Sequence, residues 1–472
     1  MLKATLIIFL SFAGLVLAQP DTLWSRLFEG EGTLHCNSTI CTNDGGFLLG
    51  GFQYSLEFSY DFFVIKTNSE GDPEWTTRLT DEWGSGLGSI TQTADRNYFL
   101  VGSGSSHNDG AAIIAKISSD GDSLWMRHYG GLLAKLNSSV PNGSGGVYVA
   151  GTTSDSARFG SYDGYLVNID EDGEELWHRV YGGRSTDWFR DMVRTSDGGF
   201  AFAGETLSFG NSLQFYLVKT DSTGEEEWSA TYGDSLAEVG FKLIQTSDDG
   251  YALGGWIYQE AVGLTTDMMI VRVDAEGNEM WTRRFGHEMF SERCNDLIQT
   301  GDGGFVLAGQ TGRTADIYLI RTDEFGDTLW TTTYNVERSE ECYTIIHLED
   351  DSYILTGHTS RNNMFMLRTE PDPANAVWEV NPAFPSMFIV NPAYPNPFNS
   401  TTSIAYNLPA PERVTVKIFD LSGRKVATLV DGRLNAGNHH VYWNGLNTPS
   451  GIYVCRMEAG SFTKSIKLAL VR

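Results

Sequence analysis

The sequence predicts an all-β protein: a seven-bladed β-propeller followed by a small C-terminal β-sandwich. Two observations predict the propeller. Trp24, Trp75, Trp125, Trp177, Trp228, Trp281 and Trp330 recur at intervals of 49 to 53 residues. Around the later ones the same text returns, a turn such as Thr220–Gly224 followed by a short β-rich run. A repeat of about 50 residues with several strands per repeat is the mark of a propeller blade. The 52 glycines gather at repeated turn positions, as many tight hairpins require. The third observation concerns the end of the chain, where alternating apolar and polar runs after residue 391 read as a separate sandwich.

Blade six shows the unit. Residues 294–300, 305–311, 316–322 and 327–334 are rich in Val, Ile, Leu, Tyr and Thr, and Gly, Asp and Asn stand between them. That is the composition of four strands and their turns. The first strand has seven copies, beginning at residues 36, 87, 136, 189, 240, 294 and 342. Seven copies give seven blades over residues 19–370. The seventh repeat ends at 364–369 without the usual turn and Trp, while residues 21–28 are a fourth strand with no blade before them. Pairing the two closes the ring and removes an exposed edge. A competing strand, 376–380, is flanked by Pro and is assigned to a linker over 371–390. With the 21–28 strand outermost, the Trp residues sit between blades as packing aromatics.

Residues 1–18 read as a signal peptide: Lys3, an apolar run over 4–17 and a small-residue site ending at Ala18. The run falls short of the ~20 residues a helix needs to span a bilayer, so no membrane-spanning segment is expected in the mature chain. The net charge is -27, which disfavours nucleic acid as a partner. Five cysteines are present and none forms a C-x-x-C pair. Cys36, Cys294 and Cys342 each lie 11 residues before the aromatic that opens the second strand. They are expected as buried small hydrophobes, with a disulfide between neighbouring blades as the alternative.

Two groups of residues are candidates for binding. The first lies in the variable connections between strands two and three, where Tyr54, Phe58, Phe209, Trp256 and Tyr258 offer stacking surface for a glycan or a protein ligand. Blade six, with the short connection Gly312-Arg313-Thr314-Ala315, is expected to contribute least. The second lies in the acidic turns between strands three and four. An Asp followed by Gly suits a turn with Gly in the left-handed region. Asp170, Asp172 and Glu174 come nearest to a calcium set, without the full loop that calcium sites of the EF-hand kind require. No other cofactor is expected. These turns loosely resemble the aspartate boxes of sialidases, which are structural in that family. No catalytic, phosphate-loop or dinucleotide motif appears in a fitting context. The body is therefore read as a non-catalytic binder. A glycosidase or lyase is the rival, to be favoured by acids converging with Arg or Tyr at the mouth of the central channel.

The tail carries Tyr394-Pro395-Asn396-Pro397-Phe398-Asn399, Phe419-Asp420, Gly423-Arg424, Trp443-Asn444-Gly445 and Ser450-Gly451-Ile452-Tyr453, with a basic final strand. In order and spacing, residues 391–472 resemble the type A C-terminal sorting domain of the type IX secretion system. A hook-cap-like immunoglobulin domain has a similar look. The resemblance implies passage through the periplasm, recognition by the type IX machinery, and release or attachment at the cell surface. The body resembles secreted bacterial β-propeller repeat proteins.

Overall fold

The computed structural model describes residues 19–54, 60–80, 85–104, 111–129, 133–154, 162–210, 212–233, 237–259, 265–286, 290–312, 315–373, 389–390, 398, 401–408, 412–434, 437–445, 448–460 and 462–471. The expected signal peptide, Phe58 and the rival strand at 376–380 lie outside them. The chain divides into two units, 1–376 and 377–472.

The first unit holds seven four-stranded antiparallel sheets among the described residues. Six are continuous in sequence, over 33–79, 85–129, 133–181, 187–232, 238–285 and 293–334. The seventh takes three strands from 340–369, and its outer strand is Thr22–Phe28, antiparallel to Met364–Thr369. Trp24 stands opposite Arg368 and Phe28 opposite Met364. The first strands of successive blades touch one another around the ring, so they line a central channel. Third strands such as Asp163–Ile169 are buried along their whole length, whereas outer strands alternate exposed and covered residues.

The recurring residues join one blade to the next. Each Trp from Trp24 to Trp281 lies against the third-to-fourth turn of the following blade. The Gly at that turn has positive φ, and a Cβ on it would overlap the indole, as at Gly71 against Trp24 and Gly277 against Trp228. Two residues after four of these Trp, an Arg covers the ring and pairs with an acid beyond that Gly: Arg26 with Asp72, Arg127 with Glu174, Arg179 with Glu225 and Arg283 with Asp327. Tyr129, Tyr181 and Tyr232 end their strands by donating to the carbonyls of Gly173, Gly224 and Gly277. A second recurring set is a cation near the end of the third strand: Lys66, Lys116, Lys219, Arg272, Arg321 and Arg368 pair with Asp44, Asp95, Asp197, Asp248, Asp302 and Asp350 of their own blade's first turn.

Where the seventh blade lacks the usual turn, Asp372 fills the place. It is fully buried and accepts from Arg321 Nε (3.2 Å), Trp330 Nε1 (3.1 Å) and Tyr353 Oη (2.6 Å). The linker expected from residue 371 therefore begins later, because this carboxylate belongs to the packing of blades six and seven. Replacing it with Ala leaves the fully buried Arg321 with Asp302 as its remaining ion-pair partner among the described residues. Breaking a buried pair costs about 3–5 kcal/mol, and Asp372→Ala is expected to lose about 3 kcal/mol in denaturant unfolding of residues 19–472. A loss below ~1 kcal/mol would show that Asp302 neutralises Arg321 alone.

The second unit is a sandwich of a three-stranded sheet (Ile389–Val390, Thr401–Leu408, Gly437–Asn444) and a four-stranded one (Lys425–Leu434, Glu412–Asp420, Gly451–Ala459, Phe462–Leu470). Its first strand falls within the stretch expected to be linker. Phe398, Ile404, Tyr406, Val414, Val416, Trp443, Tyr453 and Leu468 belong to its core.

Candidate functional site

Every first strand carries a β-bulge at the same place. The shift falls between Cys36 and Ser38, Leu87 and Ser89, Leu136 and Ser138, Phe189 and Asp191, Gly240 and Lys242, Cys294 and Asp296, and Cys342 and Thr344. A bulge re-aims side chains and bends its strand. Its strand-two partner is always Gly. A Cβ at Gly51 would lie 1.7 Å from the His35 carbonyl oxygen, and one at Gly255 2.0 Å from that of Val239. The glycine thus admits the bulge, and the bulge sets the channel lining.

The extra residues are Asn37, Gly88, Asn137, Arg190, Phe241, Asn295 and Tyr343. The next ring inward is Ser38, Ser89, Ser138, Asp191, Lys242, Asp296 and Thr344, and both rings border a channel space of about 260 Å³. At one mouth a recess of about 490 Å³ is lined by His35, Phe52, Lys135, Arg190, Phe241 and Tyr343, among others. Beside it Trp256, opposite Val239 on the neighbouring strand, packs on Phe241 at 5.5 Å, and the Arg293 guanidinium lies 5.4 Å from the Trp256 ring centre. His35 stacks on Phe52 at 4.5 Å and touches His358 at 3.9 Å, and His358 stacks on Tyr343 at 5.3 Å. Burial, with the His358 charge, holds His35 down at about 4, and burial does the same to His358, so both are neutral at neutral pH.

Acids do converge in the channel. Lys242 Nζ lies 3.3 Å from Asp191 and 3.5 Å from Asp296. Burial alone would lower its pKa, but the two carboxylates outweigh that and push it up. Burial raises Asp296, against the pull of Lys242. These carboxylates also tie blades together. Asp191 accepts from Ser138 Oγ (2.9 Å) and the Leu243 N–H (3.1 Å), and Asp296 from the N–H groups of Leu297 (2.8 Å) and Ile345 (2.9 Å). Arg190 holds the buried Glu205 through both its oxygens, and Tyr343 donates to Glu341.

Of the residues picked from sequence, Trp256 stands at the mouth. Tyr54 is further out, 4.7 Å from Tyr60, which in turn lies edge-on to Phe52. Phe209 (51% exposed) and Tyr258 (37%) sit on their own blades, Phe209 against Tyr216. The bulge and mouth residues Arg190, Phe241, Lys242, Arg293 and Tyr343 were missed. They occupy the columns one or two residues from Cys36, Leu87, Leu136, Phe189, Gly240, Cys294 and Cys342 of strand one, so aligning the seven copies exposes them.

The turn residues have a local role. Asp170 Oδ1 accepts the N–H groups of Asp172 (3.0 Å) and Glu174 (2.8 Å), and Glu174 pairs with Arg127. Asn68 and Ser118 make the same two bonds in blades one and two, so the turn needs an acceptor oxygen rather than a charge. Among the described residues no group of three or more His, Cys, Asp or Glu converges on a metal position. The five cysteines are free thiols, and burial pushes Cys36 up to about 11. In the tail, Asp420 builds the same turn, accepting from the N–H groups of Ser422 and Arg424 (3.0 Å each), with Gly423 at φ 81°. Gly451 opens its strand, and Tyr453 donates to the Pro449 carbonyl. Phe398 bridges to the last strand through Ala469 and Val471. Pro395, Asn396, Pro397 and Asn399 lie outside the described residues.

Residues 392–471 match the secretion system C-terminal sorting domain family. No curated protein matches the chain. Among solved structures, the chain is similar to puromycin hydrolase (11% identity, TM-score 0.47, covering 84% of this chain and 62% of that one). It is also similar to Sqt1 from Chaetomium thermophilum (10% identity, TM-score 0.45, covering 96% of this chain and 100% of that one). The chain thus spans less than two thirds of the hydrolase. The sorting domain marks the protein for export by type IX secretion to the cell surface or the extracellular space.

Proposed function

We propose that this is an exported β-propeller that binds a ligand at the mouth of its central channel and performs no chemistry there. One observation carries the reading: seven repeated bulges turn Arg190, Phe241, Tyr343 and their neighbours toward one recess. A concave site with aromatic walls and a few polar groups is the usual form of a binding pocket. Its groups stand on paired strands, which fixes their positions before a ligand arrives.

An aromatic contact is worth about 1 kcal/mol, so Phe241→Ala and Trp256→Ala are each expected to weaken binding about fivefold. Asp170→Ala, at the opposite face, should leave it unchanged. The measurement is a glycan and polymer binding screen on the mature chain 19–472, with every hit tested for turnover. Binding lost through Asp170 and retained without Phe241 would move the site to the turns and revive the calcium reading.

The rival reading, a carbohydrate-active enzyme, draws on Asp191 and Asp296 in the channel with Arg190 and Tyr343. It is the weaker one because both carboxylates already accept backbone N–H groups and flank Lys242. Product release abolished by Asp296→Asn in a folded variant would favour it.

A further inference from the structure

Resting on that reading, we propose that the mouth takes a uronic-acid-type saccharide, its carboxylate held by Lys135, Arg190 and Arg293 and its sugar faces laid on Phe241, Tyr343 and Phe52. Four features of the mouth lead there. Lys135 and Arg293 are exposed, and neither has an ion-pair partner among the described residues. In a chain of net charge -27, Lys135 on the recess and Arg293 beside it are where an anion gains most. With Arg190 they form an arc over blades three to six, and Phe241 with Trp256 fills the arc between Arg190 and Arg293.

Acids stand beside these cations: Glu205 on Arg190 and Glu341 under Tyr343. Such a mixture repels a polyphosphate yet supplies acceptors for hydroxyl groups, which a sugar acid carries next to its carboxylate. The inner strand edges are also taken up by the neighbouring blades. Asn37 caps the Leu87 carbonyl and Asn137 that of Phe189, while Ser38, Asp191 and Asp296 accept the N–H groups of Ile90, Leu243 and Ile345. A peptide that adds itself as a strand needs those groups free. Recognition here is left to side chains, with aromatic faces and charge-assisted hydrogen bonds.

The test is calorimetric titration of the mature chain with oligogalacturonate, with a neutral galacto-oligosaccharide of equal length and with oligoglutamate. Oligogalacturonate is expected to bind at least ~10-fold tighter than the neutral sugar, a difference of about 1.4 kcal/mol. Lys135→Gln with Arg293→Gln should remove that preference and leave the melting temperature in place. Arg293→Lys should restore part of it. Equal binding of the two sugars, tighter binding of oligoglutamate, or no binding of any of the three overturns the uronic-acid assignment while the channel-mouth reading stands. Failure of all three ligands, with other partners captured through surfaces insensitive to Phe241→Ala, overturns both.

Discussion

A chain beginning at residue 30 is expected not to hold a closed ring, and a peptide of residues 19–29 added in trans should restore it. The segment serves two seams at once. Toward blade one, Trp24 covers Gly71 and Arg26 pairs with Asp72. Toward blade six, the Pro20 carbonyl accepts the Tyr334 hydroxyl at 2.7 Å. Within blade seven it pairs along Met364–Thr369, and Phe28 joins a core with Leu34, Cys36, Phe47, Met364 and Met366. Loss of one buried Phe costs about 3–5 kcal/mol, against a net stability of about 5–15 kcal/mol for a folded domain. Loss of the whole strand also leaves a free edge on the preceding strand. The truncated chain should therefore lack a cooperative melting transition and aggregate. A cooperative melt at the full-length temperature would show that the six continuous blades and the three-stranded seventh are stable unclosed.

That closure was legible from bookkeeping of strands alone, because a surplus first strand and a missing last one are visible as text. The Trp positions were legible for a related reason. From Trp24 to Trp281 each faces the same turn in the next blade, and Trp330 meets Asp372 in its place, so the same large residue returns at each period. The channel mouth was not. Its residues differ from blade to blade: Asn37, Asn137 and Asn295 cap a carbonyl of the next blade, while Gly88, Arg190, Phe241 and Tyr343 hold the same position with other chemistry. A search for repeated chemistry passes over a site built from differences. The signal that locates it is the glycine opposite, present in all seven second strands because the bulged carbonyl leaves no room for a Cβ. The buried cations of the third strand were missed for another reason. Lys66 or Arg272 near the end of an apolar run reads as the start of a turn, and its partner acid lies about twenty residues earlier, across the blade. Asp372 was hidden by its surroundings, since a Pro on each side suggested linker.

Removal of residues 377–472 is expected to abolish export and leave the propeller's melting temperature within about 2 °C, a change of under ~1 kcal/mol. Among the described residues, the tail's core draws its buried members from residues 398–470, and none of the propeller's core clusters includes a tail residue. Each unit therefore satisfies its own apolar surface. The sorting-domain match covers 392–471, the same unit. Cell fractionation should find the shortened chain in the periplasm and the intact one at the surface or in the medium. Trp443→Ala should act like the deletion, because Trp443 meets both Phe398 and Tyr453 edge-on in the core of the sandwich, and a Trp→Ala change in a core costs about 3–5 kcal/mol. Leu421→Ala, at the exposed tip of the Asp420–Gly423 turn, separates folding from recognition: it should leave the tail's stability unchanged, so any export defect there reports a contact with the machinery. A fall of many degrees in the melting temperature of the shortened propeller would contradict the separation of the two cores.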